Sequence, residues 1–180
     1  LERMAWAGTV NGGSLLWDVS PAGTMAYVPG FDLQSEIVLR DQQGKERVLL
    51  SGGNYQGARP SPDGRLIAYS ASDGGSTALF VRPLSTDVGT KLPGTEGAGR
   101  MFWSPDSRWI GFFADGKLKK VEAAGGPPQN IGETPDLLGG TWNTDGQILF
   151  ASSKGLHRVL AAGGQPSAIE LAPELSKQSP

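Results

Sequence analysis

The sequence predicts an all-β chain, a β-propeller built from four four-stranded blade repeats of about 41 residues, as an arc of a larger propeller. Three observations carry that expectation. A short motif, clearest as "RPSPDGRLIAYS" at 59–70, recurs as "VSPAGTMAYV" from Val19, "WSPDSRWIGFF" from Trp103 and "WNTDGQILFA" from Trp142. Its anchors Ser20, Ser61, Ser104 and Asn143 stand 41, 43 and 39 residues apart, so four units fill nearly the whole chain. No segment sustains a 3.6-residue apolar period; short strands between turn residues are the rule instead.

Taken in order, residues 1–11 read as a leading outer strand and loop, with 3–9 left over from an earlier blade. The first blade spans 12–52, where the motif hairpin is followed by "SEIVLRDQQGKERVLL" as third and fourth strands. The second, 53–95, is the clearest. Residues 57–61 form its inner strand, 62–64 a turn, 65–71 the return strand, 72–76 a loop, 77–82 a third strand and 88–92 a fourth. The third and fourth blades, 96–133 and 134–171, match one another beyond the motif, as "GKLKKVEAAGGPP" at 116–128 and "GLHRVLAAGGQP" at 155–166. In the fourth, 167–171 supplies the outer strand. Residues 172–180 are a tail, in which "LAPELSKQ" allows one helical turn.

Turn chemistry is sufficient reason for the motif itself. Pro presets φ, Asp hydrogen-bonds the backbone two residues on, and Gly takes φ > 0 without steric cost. The substitutions are those a turn tolerates and a catalytic carboxylate does not: Ala22 for Asp, Ser107 for Gly, Asn143-Thr144 for Ser-Pro. Trp103 and Trp142 precede the anchor, and Tyr27, Tyr69, Phe112 and Phe150 follow it by seven or eight residues. Aromatics in such register are expected to form the blade cores.

Composition excludes several function classes. A net charge of −2 with 19% charged residues leaves no basic stripe for nucleic acid phosphates. Absence of cysteine removes disulfides and thiolate metal sites. The longest apolar run, "WIGFFA" at 109–114, is far short of a membrane span. Gly and Pro make up 40 of 180 residues, turn-rich but below the roughly 25–30% that signals disorder.

The Ser-Pro-Asp-Gly repeat, with its short apolar strand and following Ile/Leu-Phe/Tyr-Val strand, resembles the TolB-like, WD-repeat-like propellers over roughly residues 12–171. The pair "WSPDSRWIGFFADGKLKKVEAAGGPP" and "GTWNTDGQILFASSKGLHRVLAAGGQP" is closest in pattern to propellers attached to bacterial serine/threonine kinases or regulators. That resemblance implies a non-enzymatic binding or scaffold module for a protein, peptide or envelope component, periplasmic or extracellular. The alternative is a fragment of a propeller enzyme, or of the substrate-gating propeller of a hydrolase.

Enzymatic chemistry finds little purchase in the residues. His157 is the only histidine, alternates with Leu156 on a strand and is expected to be solvated, which excludes a site with several His ligands. "GGSTA" at 74–78 falls one residue short of Gly-x-Ser-x-Gly and has no helix to follow it. No cofactor is expected; calcium is conceivable at Asp18, Asp32, Asp41, Asp115 or Asp136, without the spacing of a calcium loop. The remaining candidates lie in segments entering the inner strands, 9–16, 52–59, 94–101 and 134–141. There Asn11, Tyr55, Arg59, Glu96, Arg100 and Asp136 form the expected ligand or partner face. An arc also exposes two apolar blade faces, which predicts self-association, in the simplest case a dimer forming one eight-blade ring.

Overall fold

A computed structural model describes residues 9–10, 13–14, 16–28, 35–72, 75–134 and 138–170. Within these residues the chain is all β. A short hairpin pairs β1 (Thr9–Val10) with β2 (Gly13–Ser14). The rest of the leading segment expected as an outer strand lies outside the described residues, and Thr9 pairs with Ser14 in that hairpin.

Four meandering antiparallel blades follow. The first holds β3 (Leu16–Val19), β4 (Met25–Val28), β5 (Ser35–Arg40) and the first part of β6 (Glu46–Pro60). The second takes the remainder of β6 as its inner strand, then β7 (Leu66–Ser72), β8 (Thr77–Pro83) and β9 (Thr90–Lys91). The third is β10 (Gly99–Trp103), β11 (Trp109–Ala114), β12 (Lys117–Glu122) and β13 (Gln129–Glu133). The fourth is β14 (Gly139–Trp142), β15 (Gln147–Ser152), β16 (Gly155–Leu160) and β17 (Ser167–Ala168). One difference from expectation stands out. The glycine-rich stretch 52–56, which reads as a loop, is strand, because a bulge between Tyr55 and Gly57 lets β6 bend from one blade into the next without breaking its pairing.

Strand alternation sends each blade's two faces into different cores. Ala26, Ile37 and Leu39 of the first blade meet Ala58, Ile67 and Tyr69 of the second. Ala68, Leu79 and Val81 of the second meet Met101, Trp103 and Phe112 of the third. Phe102, Phe113 and Leu118 of the third meet Ile148, Phe150 and Val159 of the fourth. Three junctions thus join four blades. Tyr69, Phe112 and Phe150 each face the preceding blade and are buried there. Tyr27 is the correction: it sits in the same register, opposite Trp17, but is only half-buried because no described blade stands before it.

The repeated motif is a hydrogen-bonded turn. The buried Ser61 hydroxyl donates to Asp63 Oδ1 at 2.6 Å and accepts the Leu66 N–H at 2.9 Å, while Asp63 accepts the Arg65 N–H at 3.0 Å. Ser104, Asp106 and Trp109 repeat the pattern at 2.5 and 2.9 Å. Asn143 does both jobs with one Oδ1, accepting from Asp145 and Gln147 at 3.0 and 2.8 Å, which is why Ser-Pro is dispensable there. Ser107, standing where Gly64 stands in the second blade, takes φ 60° and accepts the Asp63 N–H at 3.1 Å across the blade junction.

Candidate functional site

Inner strands run from the end where chain crosses between blades to the end carrying the Ser-Pro-Asp-Gly turns. That topology separates the sequence-derived candidates. Asn11 and Asp136, with the calcium candidate Asp32, lie outside the described residues. Tyr55, Glu96 and Arg100 belong to the crossing end. Arg59 lies four residues further along β6 than Tyr55, roughly 13 Å by strand rise, beside the turn.

Arg59 is tied into the first blade. Its Nη1 stands 3.3 Å from Asp18 Oδ1 and donates to the Trp17 carbonyl at 3.2 Å, and its own carbonyl accepts the Trp103 indole N–H at 2.8 Å. Three successive inner strands are thereby stitched together. Burial pushes the Asp18 carboxyl above its ordinary value, against the pull of the Arg59 guanidinium. This is a joint between blades, with its cation already engaged.

Tyr55 is half-buried rather than displayed. Its ring lies edge-on to Tyr69 with centroids 5.8 Å apart, and its N–H donates to the buried Ser35 hydroxyl at 2.9 Å. Desolvation raises its phenol above the usual range. Its role is to close the top of the first junction.

The corner between the second and third blades, residues 92–100, is different in kind. Thr95, fully buried, donates to the Leu92 carbonyl at 2.6 Å and accepts the Leu79 N–H at 3.0 Å; the Gly97 N–H reaches the Thr77 carbonyl at 2.7 Å. The corner is therefore pinned to β8 from beneath. On it Glu96 is exposed and 3.8 Å from Lys91 Nζ. Arg100 is exposed too, with φ 51° at the bulge between Gly99 and Phe102. A left-handed arginine is unusual, and here the bulge turns it outward while Met101 and Phe102 turn inward to two different cores. Among the described residues Arg100 has no hydrogen-bond or ion-pair partner.

The other polar candidates serve the fold. Asp41 Oδ1 accepts the N–H groups of Gln43 and Lys45 at 3.0 and 2.9 Å. Asp115 occupies the β11–β12 hairpin with φ 55° and pairs with Lys119 at 2.8 Å, which lowers its pKa. His157 is not simply solvated: it is half-buried, stacked on Phe150 at 5.2 Å, and its Nε2 is 3.0 Å from Ser152 Oγ. Sequence reading also missed Arg82, buried on β8, where it donates to the carbonyls of Leu49 and Thr86 and meets Asp87. Thr86 and Asp87 lie four and five residues along the chain, but the Leu49 carbonyl that takes the guanidinium into the neighbouring blade lies 33 residues away and has no mark in the local sequence.

Four meandering blades, packed face to face in series, match solved propellers over most of this chain. A putative TolB from Agrobacterium tumefaciens superposes with a TM-score of 0.73 at 16% identity, covering 88% of this chain and 62% of that one. The fold is that of a TolB-like β-propeller. TolB from Acinetobacter baumannii gives a TM-score of 0.69 at 19% identity over 87% of this chain and 43% of its own, and a propeller in a nidogen/laminin complex gives 0.69 at 12% over 86% and 64%. The chain thus spans less than two thirds of each of these propeller structures, as an arc does. Similar matches extend to a gluconolactonase from Xanthomonas campestris and to prolyl endopeptidases, so the propeller fold alone does not choose between binding and catalysis. No known family model matches the sequence, and neither does any curated protein. Among the described residues no helix is long and apolar enough to cross a membrane.

Proposed function

We propose that this chain is a binding module, the interaction propeller of a larger bacterial protein working in the periplasm or outside the cell. Its ligand is an acidic or polar segment of a protein or peptide, held at the crossing end. The observation that carries this reading is Arg100, an exposed guanidinium on a left-handed backbone, presented by a corner that buried Thr95 fixes to the sheet below. Among the described residues, Ser61 and Asp63, and Ser104 and Asp106, are committed to turns, and Asp18 and Arg59 to a blade junction. Matches to a propeller in a nidogen/laminin complex and to one in a mitotic checkpoint complex support protein binding by this fold.

Peptide display against the immobilised chain tests it. Enriched peptides are expected to be acidic and to lose at least about tenfold in affinity on Arg100→Glu, the order of one charge-assisted contact. Peptides that bind the variant and the parent equally contradict this site. The second reading, a fragment of a propeller enzyme, draws on the gluconolactonase and prolyl endopeptidase matches. Turnover of a lactone or prolyl-peptide substrate by the chain is the result that favours it.

A further inference from the structure

The second and third junctions differ at the end where chain crosses between blades. Gly57 and Gly99 hold equivalent register positions on the inner strands of the second and third blades, opposite Ser70 and Phe113. A Cβ on Gly57 would come within 3.9 Å of the Met101 methyl, so the second junction is filled there. A Cβ on Gly99 would meet nothing within 4 Å, although Phe113 on its face packs against the fourth blade. The bulge explains the contrast. It adds a residue to β10 and so turns Met101 into the second junction, whereas β14 pairs with β15 without interruption and has no residue to spare for the third. Nor does the backbone require glycine at 99, since its φ is not left-handed. A strand glycine that neither conformation nor packing requires fits a place where another backbone comes close.

The opening above Gly99 has a floor and two lips. Phe102 and Phe113, each 8% exposed with ring centroids 6.0 Å apart, lie beneath it. The Phe102 ring sits within 2.9 Å of where a Cβ on Gly140 would stand, so β10 and β14 approach as closely as one ring allows. Two residues nearer the crossing end on these strands are Arg100 and Leu138. Leu138 shares a face with Gly140, toward the third blade, and its N–H donates to the Ala151 carbonyl at 3.0 Å, yet it is 61% exposed. Both blades of this junction are described, so the opening is a property of the junction itself. A fixed cation stands on one lip and a fixed aliphatic side chain on the other, with bare backbone between.

Resting on the reading that an acidic segment binds at this corner, we propose that the segment is an extended strand of a partner protein carrying an acidic and an aliphatic side chain two positions apart. Its backbone lies over Gly99 at the mouth of the third junction, its carboxylate meets Arg100, and its aliphatic side chain meets Leu138 above Phe102. Alternate side chains of an extended chain share one face about 7 Å apart, which sets the spacing of two. Charge complementarity selects the first side chain, and the exposed Leu138 beside Arg100 selects the second.

Peptide display followed by affinity measurement on the parent chain, Arg100→Glu, Leu138→Ser, Gly99→Leu and Val88→Ser tests this. Enriched peptides are expected to pair Asp or Glu with Leu, Ile or Val two positions away. Leu138→Ser is expected to weaken them about tenfold, the order of one buried aliphatic contact. Replacing the peptide's aliphatic residue by Ala is expected to cost as much on the parent and nothing further on Leu138→Ser. Gly99→Leu fills the opening and is expected to cost at least about tenfold while keeping the parent's urea midpoint, because the added side chain meets no neighbour within 4 Å at its Cβ. Val88, 73% exposed on the second blade, is the control, and Val88→Ser is expected to bind as the parent does. Acidic peptides that depend on Arg100 but show no aliphatic preference overturn the proposal and leave the Arg100 corner standing. So does parental affinity in Leu138→Ser or Gly99→Leu. Peptides indifferent to Arg100→Glu overturn both.

Discussion

Replacing Ser61 by Ala isolates what the repeated motif does. The hydroxyl is fully buried, donates to Asp63 at 2.6 Å and is the acceptor for the Leu66 N–H at 2.9 Å. Two net hydrogen bonds at about 0.5–1.5 kcal/mol each put the loss at about 1–3 kcal/mol. The Leu66 N–H has no other acceptor in the turn, which favours the upper half of that range. Ser20 in the first blade is the internal control. Its hydroxyl accepts one longer bond, from Thr24 N–H at 3.2 Å, in a turn whose Asp is replaced by Ala22, so Ser20→Ala is expected to cost under about 1 kcal/mol. Urea denaturation with a shared m-value measures both. Equal costs for the two variants, or a neutral Ser61→Ala, refute the argument that the motif exists to hold its turn.

Two further outcomes follow from the same contacts. The Asp63 carboxyl is lowered by the Ser61 hydroxyl and the Arg65 amide; for Asp106, burial opposes, but the Ser104 hydroxyl and Arg108 amide prevail and the shift is again downward. Carboxyls depressed in the folded state stabilise it above their unfolded value near 3.8, and that contribution is lost as pH falls through the folded value. Asp63→Asn with Asp106→Asn is therefore expected to flatten the acid limb of stability below about pH 4, read as denaturation midpoints at pH 3 and pH 7. Arg59→Ala leaves the part-buried Asp18 carboxyl without its cation and is expected to cost about 1–3 kcal/mol. Asp18→Asn in that background restores part of the loss, because the amide carries no charge into the junction; a double-mutant cycle checks this.

The propeller was legible because its information is local and repeated. Ser61, Asp63 and Gly64 act within one turn, so their spacing in sequence is their geometry in space, and Asn143 shows why the identity of the anchor can vary. What stayed hidden acts across blades. Ser107 reads as a lost glycine, but its hydroxyl bonds the Asp63 amide 44 positions away. Residues 52–56 read as a glycine-rich loop, whereas pairing on both sides holds them as strand. Tyr27 shows the limit most clearly: the period placed it with the buried aromatics, and a period reports register without reporting what stands opposite. At the candidate site, the place of Glu96 and Arg100 between blades is legible in the sequence, but the pinning of their corner by Thr95 depends on Leu79, 16 residues earlier, and has no signature there.

Four third-strand positions are equivalent in register, three of them enclosed by a following blade and Leu156 exposed. The chain has no cysteine, so Ile37→Cys, Leu79→Cys, Leu118→Cys and Leu156→Cys each introduce a single thiol. Thiol labelling of the four purified variants compares them directly. Cysteine at 37, 79 and 118 is expected to react at least about a hundredfold more slowly than at 156, because reaction there requires a junction to open. Similar rates at all four positions, or fast labelling at 79 or 118, contradict the serial face-to-face packing of the blades.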